Sequence, residues 1–214
     1  MVRPPVAPCQ GRAMNALAKM PVWLTVDEFL AWEPGDGRKW QLVNGEPQAM
    51  APGKPTHAFL QAELAALIRN HLLQQGSPCR VAVESGIVPR VLSSRNLRVP
   101  DIAVMCTPGD GDGDGDGDED ATLSEPVLVV EILSHSNRSE TWDNVLTYPS
   151  IPTIQEILVL HSTRIGADLL RRGPDGAWPA DPSPVEPGDL VLDSIGFRVL
   201  LADIYRTTRL HRSS

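Results

Sequence analysis

Hydrophobic residues recur along the chain in two spacings, which predict the helices and strands of one α/β (α+β) domain. After Thr56, large apolar residues recur every three or four positions until Gly76, which is typical of a helix that packs one face on a core. Short β-branched runs predict strands at about 79–92, 99–106, 127–133 and 155–161. With a further helix over 139–148, this order indicates a mixed β-sheet flanked by helices.

Shorter signals flank this core on both sides. Thr25 and Glu28 have the spacing of a capping box, which predicts a helix over 25–33. Asn44-Gly45 separates two strand-like runs within 39–50, and this dipeptide is a strong signal for a type I′ turn, so an N-terminal hairpin is predicted. Later hydrophobic runs predict a C-terminal β layer formed by 165–172, 190–192 and 197–200.

Composition divides the chain into one domain and three segments without a hydrophobic core. The domain is expected over 22–205, between a Pro-rich segment at 1–21 that is expected to be disordered and a tail at 206–214. Within the domain, 110–120 repeats Asp-Gly and is expected to be a flexible acidic loop. An EF-hand-like spacing can be found in this repeat, and calcium binding there is the weaker alternative because no helices are predicted beside it.

The net charge of −8 does not exclude a nucleic-acid partner, because its distribution is uneven. The Asp-Gly repeat carries seven of the 27 acidic residues, and the other 20 nearly balance 19 basic ones. No hydrophobic run is long enough to cross a membrane, so no membrane association is expected.

The three cysteines, Cys9, Cys79 and Cys106, are odd in number and show no Cys-x-x-Cys spacing. This pattern predicts neither a disulfide framework nor a zinc site, and Cys79 and Cys106 are expected to be buried strand residues. The same pattern is typical of a protein of the reducing cytoplasm, which is the expected location.

Two carboxylates stand at the ends of hydrophobic runs. Asp101 follows Val99-Pro100, and Glu131 follows Pro-Val-Leu-Val-Val. A carboxylate at the edge of a sheet core is costly unless it is paired or bound to a metal ion. Two of them on adjacent strands would form an oxygen-ligand site suited to Mg²⁺ or Mn²⁺. The alternative is that Asp101 is a turn residue and Glu131 forms a salt bridge at a strand end.

A series of short motifs resembles a known family. In order, they are Trp40–Glu46, Thr56-His57, Val99–Asp101, Val129–Ser134, Ser136 and Ile151–Glu156. Their order and spacing resemble the Uma-type restriction endonuclease domain, a branch of the PD-(D/E)XK nuclease superfamily, over roughly residues 22–205. The resemblance implies a restriction-endonuclease-like core of a helix, a three-stranded meander, a second helix and a further strand, which agrees with the elements predicted above.

The resemblance also implies a function and roles for individual residues. It implies a metal-dependent DNA endonuclease in which Asp101, Glu131 and the Ile132 carbonyl hold one or two Mg²⁺ or Mn²⁺ ions. Such ions polarise a phosphodiester and help to deprotonate the attacking water. Glu46, after the hairpin turn, matches an upstream glutamate of this branch and is expected to be an accessory ligand or base.

One departure from the family pattern concerns its lysine. The position two residues after Glu131 is Leu133, and the position four residues before Tyr148, where many Uma-type sequences carry lysine, is Asn144. An amide can only hydrogen-bond, whereas an ammonium stabilises the charged transition state. The alternative is therefore a catalytically degenerate module that keeps the fold and binds DNA or protein.

Cationic side chains near these motifs are candidates for DNA contacts. His57 stands in the first turn of the long predicted helix, where it could face the metal site or bind phosphate. Arg90, Arg98 and Arg138 are expected to contact the DNA backbone, and the alternative is that they are ordinary solvated charges. Because restriction-like nucleases often dimerise to cut both strands, a homodimer is a further expectation from the resemblance.

Overall fold

The computed structural model describes residues 23–106 and 122–211. The segment expected to be disordered at 1–21 and the acidic loop expected at 110–120, with its calcium-binding alternative, lie outside the described residues.

The order of elements follows the predicted one closely. The elements are α1 Val26–Leu30, β1 Trp40–Val43, β2 Glu46–Ala49, α2 Pro55–Gln74, β3 Arg80–Val83, β4 Ile102–Met105, β5 Pro126–Leu133, α3 Arg138–Val145, β6 Glu156–His161, β7 Ala167–Arg171, β8 Ser183–Val185, β9 Asp189–Leu192, β10 Phe197–Leu200 and α4 Leu201–Ile204. Short 3₁₀ turns lie at Ser93–Arg95, Tyr148–Ser150 and Asp193–Ile195.

A six-stranded mixed sheet in the order β3-β4-β5-β6-β7-β8 forms the centre of the fold. Strands β5 and β6 are parallel and α3 connects them, whereas the other neighbouring strands are antiparallel. The mixed sheet with flanking helices confirms the predicted fold class. The expected C-terminal β layer is smaller than predicted, because β7 and β8 extend the central sheet and only β9 and β10 form a separate hairpin.

Helix α2 covers one face of this sheet. Its buried residues recur every four positions, so one stripe faces the core. The stripe consists of Leu60, Leu64, Ile68 and Leu72. It packs in one cluster with strand residues that include Val104, Leu128 and Leu158. The other face is covered by α3 and the following 3₁₀ turn, where Val145 and Tyr148 pack against Val129 and Val159.

The turns at the N-terminal end agree with the local signals. Thr25 and Glu28 form the capping box at the start of α1. Asn44 and Gly45 both have positive φ, at 53° and 91°, as a type I′ turn requires. A Cβ atom on Gly45 would lie 3.2 Å from the Trp23 ring, so this position also needs glycine for space.

The strand predicted over 79–92 is wrong beyond its first third. β3 ends at Val83, and Glu84 then takes a positive φ of 50°, which turns the chain out of the sheet. Farther along, Ile87 exchanges backbone hydrogen bonds with Arg98 instead of continuing the β3–β4 ladder. The β-branched run therefore lies partly in a loop after β3.

The cysteines contradict the expectation of no disulfide. Cys79 and Cys106 form a disulfide, with their Cα atoms 3.9 Å apart. The pairing of Arg80 with Met105 makes these cysteines the next cross-strand pair of β3 and β4. Their proximity depends on strand register, which no cysteine motif signals. The disulfide also removes the cysteine pattern as an argument for a reducing compartment.

Packing continues past residue 205 into the segment expected to be a tail. Arg206 forms a salt bridge with Glu63 on α2, and Thr208 is buried. Among the described helices, none has the length and apolar composition needed to cross a membrane.

Candidate active site

Strand pairing places Asp101 and Glu131 opposite each other. Ile102 pairs with Val130 in the antiparallel β4–β5 ladder, so the preceding residue of β4 meets the following residue of β5. Asp101 is 8% exposed and Glu131 is 5% exposed. Both carboxylates line a cleft of about 380 Å³ at this end of the strands. Two carboxyl groups thus lie close together, nearly excluded from solvent, on the lining of this cleft.

Asp101 is held by three neighbours. Its Oδ1 lies 2.7 Å from His57 Nε2, and its Oδ2 accepts a 2.6 Å hydrogen bond from the backbone N–H of Ile132. Gln61 of α2 donates to the Asp101 carbonyl at 2.9 Å. The helix and the adjacent strand therefore fix the carboxylate before any ligand arrives.

Glu131 has weaker compensation for its burial. Its Oε1 accepts a 2.5 Å hydrogen bond from the Tyr148 hydroxyl and a 3.4 Å hydrogen bond from Asn144 Nδ2. Within the described chain, no Lys, Arg or His forms a salt bridge with it. Burial, and then the charge of Asp101, raise the pKa of Glu131 well above its usual range, although both hydrogen bonds oppose that shift.

Tyr148 and Glu140 show the same low-dielectric surroundings. Burial, followed by the charge of Glu131, raises the pKa of Tyr148. Burial also raises the pKa of Glu140, which accepts a 3.1 Å hydrogen bond from Gln41 Nε2 and lines the cleft. The wall formed by α3 is thus a poor environment for extra negative charge.

The structure places some of the other predicted site residues in the cleft and others outside it. His57 and Asn144 lie in the cleft beside the carboxylates. Glu46 is exposed on β2 and does not line the cleft, so it lies apart from the other acidic residues. Arg90 is exposed on the loop after β3, where its backbone N–H donates to Ser150 Oγ, and it does not line the cleft either.

Arg98 and Arg138 differ in exposure. Arg98 is 3% exposed and donates from Nη1 to the Leu42 carbonyl at 3.0 Å, so its side chain is buried and not solvated. Burial lowers the pKa of Arg98, while acidic groups that include Tyr148 and Glu131 oppose that shift. Arg138, at the start of α3, is exposed and opens onto a second cavity beyond the end of β5.

The Ile132 carbonyl, predicted to be a metal ligand, already has one partner. Asn137 Nδ2 donates to it at 3.2 Å, and Asn137 Oδ1 accepts from the backbone of Ser134 at 2.7 Å. Asn137 occupies the N-cap position of α3 without a side-chain capping bond. The asparagine fixes the end of β5 instead.

Sequence reasoning missed two cleft lysines. Lys39 and Lys54 are more than 75 residues from α3 in the sequence, yet both line the cleft. Lys39 forms a salt bridge with Glu84, another lining residue. The predicted hairpin was the sequence feature that bore on the position of Lys39, because it brings residues 39 and 50 together. In the structure, the Met50 N–H donates to the Lys39 carbonyl at 2.9 Å.

The donor set fits a hard divalent cation. Asp101 and Glu131 provide carboxylate oxygens, and Glu131 has no cationic partner among residues 23–106 and 122–211. Among the described residues, no group of three or more His, Cys, Asp or Glu side chains is arranged to hold a metal ion. Mg²⁺ commonly binds through one or two carboxylates, with water and substrate phosphates completing its shell. Two carboxylates are therefore sufficient for this type of site.

Comparison with known proteins identifies the family. The model of the family described as "Uma2: Putative restriction endonuclease" matches residues 26–201. The chain belongs to this family. This Uma2 chain is also 30% identical over 158 residues to the "Uncharacterized protein slr1290" of Synechocystis sp. (strain ATCC 27184 / PCC 6803 / Kazusa). The match covers 72% of this chain and 77% of that protein.

A solved structure shares the fold of this Uma2 chain. The crystal structure of a "putative nuclease belonging to DUF820" from Anabaena variabilis ATCC 29413 matches with a TM-score of 0.67 and 17% identity. The match covers 86% of this chain and 98% of the other. Together with the family match, it confirms the predicted restriction-endonuclease-like core.

Proposed function

We propose that this Uma2 chain is a metal-dependent DNA endonuclease that hydrolyses phosphodiester bonds in the Asp101–Glu131 cleft. The observation that carries the proposal is the pair of buried carboxylates on adjacent strands, which are open to a cleft and have no lysine or arginine partner in the described part of the chain. A sheet that needed only stability would gain by losing such a pair, because burial of like charges is costly. Family membership supports a nuclease.

Asp101 and Glu131 would hold Mg²⁺ or Mn²⁺, with the second lone pair of the Ile132 carbonyl as a further oxygen donor. What a divalent cation supplies at such a site is polarisation of the phosphate and a lower pKa for bound water. His57 and the Ile132 N–H orient Asp101, while Tyr148 orients Glu131. These contacts keep both carboxylates in place without a ligand.

The cleft also presents positive charge to a polynucleotide. Lys39, Lys54 and Arg38 line it, with Lys39 paired to Glu84 and Arg38 paired to Asp36. Their ammonium and guanidinium groups would attract the DNA backbone and offset the negative charge of the cleft floor. In this proposal they supply the cations that position 144 lacks.

Plasmid cleavage tests the proposal. The wild-type protein and Glu131→Gln, purified identically, are incubated with supercoiled plasmid and Mg²⁺ or Mn²⁺. Wild type should cut, and the variant should lose at least about a hundredfold in rate, because one metal oxygen ligand becomes an amide. Glu33→Gln makes the same chemical change at an exposed position and should cut like wild type. Equal cutting by wild type and Glu131→Gln would contradict the proposal.

The products of the same assay test the homodimer. A dimer that presents two clefts to one duplex should give linear plasmid early, whereas a monomer should accumulate nicked circles first. Light scattering of the protein alone measures its mass in solution, which should be that of a dimer in the first case and that of a monomer in the second.

Asn144 favours a second candidate function, the catalytically degenerate binding module. Its amide lies 3.4 Å from Glu131 Oε1, where the family pattern often has lysine. Under this alternative, wild type binds DNA without cutting it under either metal, and Asn144→Lys introduces cleavage. Under the main proposal, wild type cuts, and Asn144→Lys changes the rate by about tenfold or less.

A further inference from the structure

A second cavity lies beyond the carboxyl ends of the two parallel strands. Its volume is about 190 Å³, and it is bounded by the residues that follow β5 and β6. Side chains at the carboxyl ends of neighbouring parallel strands converge at one sheet edge, which is a common position for ligand sites in α/β folds. Ser134 lines both this cavity and the Asp101–Glu131 cleft, so the two are adjacent.

The lining of this cavity is rich in donors for an anion. Arg138 and Arg164, which carry guanidinium groups, and His135, which carries an imidazole, are among its lining residues. Its acidic lining residue, Asp168, is engaged by His161, with Nε2 2.9 Å from Oδ2. The two arginines therefore outnumber the carboxylate, and that carboxylate already has a partner.

The two arginines differ from the two arginines at the end of β7, whose guanidinium groups are engaged by other groups of the protein. Neither Arg138 nor Arg164 forms a salt bridge within residues 23–106 and 122–211. By contrast, Arg171 pairs with the buried Glu156, and Arg172 donates to the Ile151 carbonyl at 2.9 Å. The guanidinium of Arg164 instead rests against Gly166, where a Cβ atom would displace it. Both guanidinium groups are thus available to a ligand.

We propose that this cavity binds a phosphate group of the DNA strand, adjacent to the phosphate held in the Asp101–Glu131 cleft. The inference rests on the proposed function. Leu133, which lines the second cavity, is two residues beyond Glu131 on β5, a rise of about 6.6 Å. Successive phosphates of one DNA strand are farther apart than their axial spacing of about 3.4 Å, because the backbone winds around the helix axis, so a neighbouring phosphate reaches this distance. Arginine suits the site because its planar group binds phosphate oxygens in pairs.

The test measures DNA binding without cleavage, so that it does not depend on catalysis. Binding of a short fluorescein-labelled duplex is followed by anisotropy in EDTA, across NaCl from about 50 to 200 mM. The Arg138→Gln/Arg164→Gln double variant should weaken binding by about tenfold or more, and its log K against log [NaCl] slope should be shallower by about 2. Arg69→Gln removes an exposed arginine from the distant part of α2 and serves as the control for lost charge.

Each outcome separates this inference from the proposed function. A shallower slope in the double variant, with Arg69→Gln unchanged, supports the phosphate site even when wild type cuts no DNA under any metal. An unchanged slope in the double variant overturns the site while leaving plasmid cleavage to decide the nuclease proposal. Failure of wild type to bind the duplex overturns the phosphate site outright. Circular dichroism of the double variant checks that its fold is retained.

Discussion

Glu131 and Glu156 are both glutamates buried in the central sheet, on the neighbouring parallel strands β5 and β6. Glu156 is 1% exposed, and its oxygens accept from Arg171 Nε at 2.8 Å, from the backbone of Asp193 at 3.1 Å and from the backbone of Ser194 at 2.8 Å. Glu131, at 5% exposure, has a tyrosine and an amide as donors and faces a second carboxylate.

The difference shows how a structural carboxylate can be told from a candidate ligand. The partners of Glu156 include a cation and two backbone N–H groups, so its charge is compensated within the chain. The partners of Glu131 are neutral, and burial, followed by the charge of Asp101, raises its pKa. Both residues look alike in sequence, since each is an acid in a β-branched run. What separates them is the supply of donors around each side chain.

The largest expected effect is a loss of stability on substitution of Glu156, the glutamate whose charge is compensated within the chain. Glu156→Ala leaves the backbone N–H groups of Asp193 and Ser194 without their acceptor and should lower the free energy of unfolding by about 3 kcal/mol. Urea denaturation measures this change. A loss below about 1 kcal/mol would mean that other contacts hold the 193–195 turn and would weaken the contrast with Glu131.

Adding Mg²⁺ should raise the stability of the protein, and this gain should depend on Glu131. At a hundredfold excess of Mg²⁺ over its dissociation constant, wild type should gain about 2.7 kcal/mol in unfolding free energy, because the ion binds only the folded site. Glu131→Gln should lose this gain, whereas Glu33→Gln should keep it. Urea denaturation with Mg²⁺ or EDTA compares the three proteins, and an equal gain in Glu131→Gln would place the ion elsewhere.

The pH dependence of stability follows from the raised pKa of Glu131. The folded state holds this proton more tightly than the unfolded state, so raising the pH above the ordinary glutamate range lowers the stability of the metal-free protein. The loss grows until the pH passes the raised pKa. Glu131→Gln cannot titrate there, so it should be more stable than wild type at neutral pH and should lose that advantage below the ordinary pKa. Parallel denaturation curves across pH, in EDTA, measure the difference.

The smallest expected effect comes from the donor to Glu131. Tyr148→Phe removes one hydrogen bond to a buried group and should lower the unfolding free energy by about 1 kcal/mol. Its effect on the site should be clearer, with Mg²⁺ affinity falling about tenfold or more because Glu131 loses its orienting partner. Isothermal titration calorimetry measures the affinity. Unchanged affinity would show that Asn144 and the sheet orient Glu131 without Tyr148.

Local signals were enough to predict much of the fold. The capping box, the Asn44-Gly45 turn, the spacing of α2 and the strand runs each depend on neighbouring residues, and each reappears in the structure. The Cys79–Cys106 disulfide and the end of β3 at Val83 depend on strand register and on the left-handed backbone of Glu84. Neither register nor a positive φ at a glutamate has a strong sequence signal.

The candidate site was predicted only where strand order decided the outcome. Asp101 and Glu131 meet because adjacent strands of a meander place them opposite each other, which the motif order implied. The burial of Arg98 and the approach of Lys54 depend on how loops and helix ends pack on the sheet. Charged residues are usually exposed, so composition alone favoured the wrong environment for Arg98.

The disulfide between Cys79 and Cys106 has a consequence for how the chain can change. Cys106 follows β4 at the end opposite to Asp101, immediately before residue 107. A covalent anchor at that point prevents a change of length or composition in the following segment from shifting β4. Insertions after Cys106 are therefore mechanically isolated from the carboxylate pair, and this junction is a suitable place to attach a tag or a second domain.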